Sequence, residues 1–176
     1  MTRLVLLLLA PAIVAAAVAS VAFGGSPSDV AAVRAATAKF HDVQKAIDAG
    51  YTVELPDRFG ETCIANLTDP DEGAMGVHLV SLSRVIDPAL DPTNPEALVY
   101  ERRNDGTLKL VAVEYVVFQG AVSEKPELFG VDFDENDGTR YNLDPFYALH
   151  AWIWKPNPNE PAGIFSQWNP RVSCET

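Results

Sequence analysis

The stretch Leu108-Lys109-Leu110-Val111-Ala112-Val113-Glu114-Tyr115-Val116-Val117-Phe118 decides the fold. It is rich in β-branched and aromatic residues. Extended, it is apolar on both faces, with Leu110, Ala112 and Val116 on one and Val111, Val113, Tyr115 and Val117 on the other. A strand buried on both faces sits in the middle of a sheet, so strands must flank it. Immediately before it stands Asn104-Asp105-Gly106, a strong hairpin signal, and before that the strand-like Ala97 to Arg102. The two segments read as antiparallel neighbours.

Upstream, Tyr51 to Leu55 and Ala74 to Ser81 are extended segments bounded by turn residues such as Asp69-Pro70 and Asp87-Pro88. Three X-Pro steps between Ile86 and Pro95 bar regular helix and sheet there, which predicts an ordered crossing. Downstream, Leu128 to Phe133 reads as a short strand, Asp132 to Arg140 as a polar acidic loop and Ala148 to Trp154 as the last clear strand. Phe165 to Cys174 reads as a packed tail. Ahead of all these, Val30, Val33, Thr37, Phe40, Val43 and Ile47 recur at helical spacing, with Ser28 a fitting N-cap and Gly50 a fitting C-cap. The pattern predicts an α+β domain: one N-terminal amphipathic helix over Asp29 to Ala49, packed on a bent, mainly antiparallel sheet of five to seven strands that approaches a barrel.

The chain begins with Arg3, four consecutive leucines (Leu6 to Leu9) and an apolar run to Phe23, with small-residue cleavage patterns at Ala17-Val18-Ala19 and Ser20-Val21-Ala22. That order is expected of a secretory signal peptide over residues 1–22, followed by a linker at 23–28 and one globular domain at 29–176. Retained, the same run is long enough to act as an anchor; cleaved, it leaves no membrane span. The expected location is outside the cell or in its envelope. With Arg3 lost the net charge becomes −12, a surface that repels phosphate backbones and argues against nucleic acid as a partner. Only two cysteines exist, Cys63 and Cys174. In an exported chain such a pair is most simply a structural disulfide.

The phrases Ala38-Lys39-Phe40-His41-Asp42-Val43, Gly73-Ala74-Met75-Gly76-Val77-His78, Pro95-Glu96-Ala97-Leu98-Val99-Tyr100-Glu101, Leu110-Val111-Ala112-Val113-Glu114-Tyr115, Leu149-His150-Ala151-Trp152-Ile153-Trp154 and Trp168-Asn169-Pro170 through Cys174 resemble a family of small exported proteins common in actinobacteria. The likeness covers nearly the whole domain. It implies export and a single domain. That family has no assigned activity, so the resemblance carries over no catalytic residues.

Four ionisable residues interrupt apolar strands: His78, Glu101, Glu114 and His150. A buried charge must be paired, ligated or solvated, since leaving it alone costs several kcal/mol. A hairpin loop of two or four residues places Glu101 and Val99 on the face of Glu114, whereas a three-residue loop with a bulge brings Tyr100 there. His78 follows Gly73 and Gly76, and His150 shares its face with Ala148, Trp152 and Trp154. His78, His150 and Glu114, with Glu101 as an outer or fourth ligand, are the candidate donors for a divalent transition metal such as zinc, copper, iron or manganese. The competing reading is a hydrogen-bonded polar cluster. A second function class rests on the aromatic residues: Trp152, Trp154 and Tyr115 as a face for a small apolar, sugar or protein ligand without metal.

Other chemistries find no support. Asp132, Asp134 and Asn136 copy three positions of an EF-hand loop, but the glycine comes one place late at Gly138 and Leu143 stands where the bidentate Glu belongs. No Gly-x-Ser-x-Gly, P-loop or dinucleotide fingerprint is present.

Overall fold

The computed structural model describes residues 27–159 and 162–174. The leader read over residues 1–22 and the linker residues 23–26 lie outside the described residues. No described helix is long and apolar enough to cross a membrane.

The chain opens with helix α1 (Pro27–Thr37), a 3-10 turn at Ala38–His41 and helix α2 (Val43–Asp48). The single helix predicted over this stretch is thus broken, and Asp42 is the reason. Its backbone is extended (φ −88°, ψ 106°) and its carboxylate accepts a hydrogen bond from the Gln44 amide at 3.1 Å. An N-cap of this kind is worth about 1 kcal/mol, and it starts a new helix in place of continuing the old one. The break and the tighter 3-10 turn shift the helical phase. Ile47, predicted to face the core, is 41% exposed, and Ala46 is buried instead.

Strands β1 (Val53–Glu54), β2 (Cys63–Ala65) and β3 (Ala74–Val80) follow, then the one-turn helix α3 (Leu82–Val85), then β4 (Ala97–Arg102) and β5 (Leu108–Phe118). β4 and β5 have the bounds the sequence predicts. The segment Leu128 to Phe133 is no single strand: Phe129 and Gly130 both take positive φ (59° and 75°), and the chain doubles back as the small hairpin β6 (Glu127–Leu128) and β7 (Val131–Asp132). Part of the acidic run expected to be loop is strand β8 (Asp134–Asn136), paired with β9 (Phe146–Ala151).

The main sheet has seven strands in the order β1-β3-β4-β5-β9-β8, every pair antiparallel, with β2 also paired to β3. β5 is central, as its two apolar faces require. The sheet does not close into a barrel. β1 and β2 lie end to end along β3, the three-residue β8 forms the far edge, and these edges do not pair.

One face of the sheet, with Val77, Leu98, Tyr100, Leu110, Val113, Tyr115 and Leu149, shares a core with Val33, Phe40 and Ala46 of the N-terminal helical segment. The Tyr100 hydroxyl donates to the Phe40 carbonyl at 2.8 Å. Beyond the helices, the proline-rich crossing is tied down when the Tyr115 hydroxyl donates to the Pro92 carbonyl at 2.7 Å. The other face holds a second core of Ala74, Val99, Val111, Ala112, Trp152 and Val172. The tail reaches it through an isolated bridge between Asn169 and Ala74 and is locked by the Cys63–Cys174 disulfide, whose Cα atoms are 5.6 Å apart.

One irregularity sets what each face carries. The turn Asn104-Asp105-Gly106 has three residues and is closed by the Arg103 amide on the Thr107 carbonyl at 2.8 Å. Continued unbroken, that register pairs Tyr100 with Leu110 and sets Glu114 on the helix-covered face. A bulge at Val111 adds one residue to β5, after which Val99 pairs with Ala112 and Ala97 with Glu114. Val111 and Ala112 both join the second core, Leu110 moves to the first, and Glu114 moves to the opposite face. Strict alternation along the strand puts Leu110 on the face of Glu114; the bulge separates them.

Candidate metal centre

On the face away from the helices, the register runs His78 opposite Val99, Val99 opposite Ala112, Ala97 opposite Glu114, and Glu114 opposite His150. His78 stands on β3 and Glu114 on β5, two strands away, about 10 Å in backbone spacing. The side chain between them on Glu114's row is that of Ala97, whose lone methyl leaves the space over β4 open. Across that space the two imidazoles and the carboxylate meet. His78 Nε2 lies 3.3 Å from His150 Nε2 and 3.5 Å from Glu114 Oε2, and His150 Nε2 lies 3.6 Å from Glu114 Oε1. All three residues are buried, and they form a group that can hold a metal ion.

Neighbours fix the approach. Gly76, two residues before His78, has φ 102°, and a Cβ there would run into the Tyr100 carbonyl oxygen. Only glycine lets β3 come this close to β4. His150 stacks on Trp152 with ring centroids 5.9 Å apart, and Trp152 is anchored by its indole N–H on the Ser166 carbonyl at 2.6 Å. The Nδ1 of His78 makes no hydrogen bond of good geometry among the described residues, and the ring's contact with the Gly76 carbonyl is a weak one.

Burial dominates the electrostatics. It holds the His78 imidazole down to about 4, opposed by the Gly76 carbonyl and assisted by the Arg140 guanidinium. It holds His150 well below the ordinary histidine value, with His78 adding to the effect. It pushes Glu114 up to about 8, with Glu96 contributing. At physiological pH both histidines are therefore neutral with lone pairs available for ligation, and Glu114 keeps its proton until a cation displaces it, so that ligation releases a proton.

A cavity of about 180 Å³ opens beside the three residues. Its walls are mostly apolar, with Val53, Val80, Val116, Phe118 and Phe146 among them; Tyr141, Asp134 and Glu135 also line it.

Compared with known proteins, the chain matches no family model, no curated protein and no solved structure.

Three of the four expected metal donors come together. Glu101 does not join them: its register partner is Lys109, near the hairpin end of β5, and its carboxylate holds the Lys155 ammonium. The aromatic face expected as an alternative is not open. Trp152 is 1% exposed inside the second core, and Tyr115 is buried in the first. Trp154 packs against His41 and Arg34, and its indole N–H reaches the Thr37 hydroxyl at 3.3 Å. None of the three lines a described cavity.

Near the site, Glu96 and Tyr141 are polar residues that the sequence pattern does not mark as part of it. Glu96 is 1% exposed, accepts the Val116 amide at 3.1 Å, and is pushed up to about 8 by burial. Its position between Pro95 and an apolar strand was the available signal. Tyr141 sits on the cavity wall, placed by a loop whose path no periodicity encodes.

Proposed function

We propose that this chain is an exported protein, of the actinobacterial kind its sequence resembles, that binds a divalent transition metal through His78 Nε2, His150 Nε2 and the Glu114 carboxylate. The observation that carries the reading is the spacing of the three donors. At 3.3, 3.5 and 3.6 Å they stand mostly beyond good hydrogen-bond distance, about 2.7–3.2 Å, yet they face one another in a buried, largely apolar setting. A tetrahedral ion with bonds of about 2.0–2.1 Å has ligands about 3.3–3.4 Å apart. The separations suit a shared cation better than a hydrogen-bonded cluster.

Two histidines and one carboxylate are the donor set of zinc sites that keep a fourth position open, and of non-haem iron sites. When bound, the metal supplies a Lewis acid at the floor of the cavity. The chain's own part is to keep both imidazoles neutral, hold the carboxylate between them and exclude water with the surrounding valines and phenylalanines.

Elemental analysis of the mature protein after dialysis tests this, with His150→Ala alongside. One metal ion per chain in the wild type, lost in the variant, is the expected result. A folded wild type that takes up no zinc, cobalt, iron, manganese or copper when each is supplied refutes it.

A further inference from the structure

We infer that the open position of this metal centre takes the carboxylate of a small monoanionic molecule whose apolar body fills the adjoining cavity. The inference rests on the metal reading above and adds the class of ligand.

Charge gives the first argument. A dication held by one carboxylate and two neutral imidazoles keeps one positive charge in a site whose protein ligands are all buried. Uncompensated charge is costly there, so the remaining ligand is best a single anion. Asp134 and Glu135 on the cavity wall, and the acidic balance of the whole chain, work against ligands of higher negative charge.

The cavity gives the second. At about 180 Å³ it exceeds the roughly 150 Å³ of an apolar cavity that accepts benzene. It therefore holds a body of benzene size or slightly more. At its edge Leu82 and Ile86 are 58% and 79% exposed, and Leu143 is 40% exposed. Large apolar side chains gathered around one opening are covered when an apolar ligand enters. Tyr141 gives the third. Among the described residues its hydroxyl reaches only the Met75 sulfur, at 4.0 Å, which leaves it to donate to the carboxylate oxygen that the metal does not take.

The test uses the full mature protein loaded with cobalt(II), whose visible absorption reports on its coordination, together with calorimetry. Hexanoate and benzoate are compared with acetate, adipate and hexanamide. Four additional buried methylene or methyl groups predict that hexanoate binds on the order of a hundred-fold tighter than acetate. Adipate, with a second charge, and hexanamide, with none, bind more weakly than hexanoate. Ile86→Ser, exposed at the cavity edge and not among the metal donors, retains the cobalt spectrum and binds hexanoate more weakly than the wild type does. A cobalt-loaded protein whose spectrum ignores hexanoate, or which binds acetate equally well, overturns the inference and leaves the metal reading standing. Failure to bind cobalt or any other metal removes both. Hexanoate binding of equal strength to the metal-free protein overturns the carboxylate-to-metal contact.

Discussion

Replacing Glu114 by Gln changes one oxygen to an amide nitrogen and keeps the shape of the side chain. The fold therefore has little to repack, but the only anionic donor among the three converging groups is gone. Removing a partner that merely orients a ligand costs about 10–100-fold in metal affinity, so removing a ligand itself costs at least about 100-fold. With free metal at one hundred times the wild-type Kd, binding stabilises the native protein by about 2.7 kcal/mol. For a domain of about 150 residues that raises Tm by about 5–10 °C. In Glu114→Gln the same metal concentration sits near Kd or below, where the gain is at most about 0.4 kcal/mol and the rise about 1–2 °C. Calorimetric melts of each protein, with zinc and after chelation, measure the two rises. Each protein serves as its own reference, so any change in intrinsic stability cancels. A Glu114→Gln rise equal to that of the wild type would refute carboxylate ligation, and no rise in either would refute the metal site.

Three further predictions concern the frame around the site. Reduction, or Cys63→Ser with Cys174→Ser, opens a cross-link spanning 111 residues, for which chain entropy predicts a loss of about 5 kcal/mol; urea melts with and without reductant measure it, and a loss under 1 kcal/mol contradicts the role. Glu96, raised to about 8 in the folded protein, binds its proton more tightly there than when unfolded, so its contribution to stability is complete below about pH 4.3 and is lost as pH rises through about 8. Glu96→Gln should flatten the fall in metal-free stability across that window, by on the order of 3 kcal/mol at pH 7, and an unchanged slope in pH-dependent urea melts counts against it. Gly76→Ala drives a Cβ onto the Tyr100 carbonyl at positive φ and should cost about 1–3 kcal/mol. Because that strain falls two residues from His78, metal affinity should drop with it, as a chelator competition assay would show.

Local chemistry was enough for several features. Valine, aromatic and alternating residues around Asn104-Asp105-Gly106 encode β4 and β5 to their ends, because pattern and turn lie within one short segment. The disulfide followed from there being only two cysteines to pair. His78, Glu114 and His150 announced themselves as ionisable residues on apolar strands. Other features depended on distant contacts. Ile47 left the core because Asp42 capped a second helix, a choice between two local options that the fold decides. Trp152 and Tyr115 have side chains that suit both a binding face and packing, and the tail and the proline-rich crossing made them core.

The strand Leu108–Phe118 divides the two kinds of information most clearly. Its sequence determined that it is a strand, that it is central and that Glu114 would need explaining. The face Glu114 occupies was set by the bulge at Val111, since a shift of one residue turns every later side chain to the other side of the sheet. That bulge answers the packing of both cores at once, and pairing of β5 with β9 then puts His150 opposite Glu114. Register between strands far apart in the chain is a balance of tertiary contacts, and no spacing within a single segment encodes it.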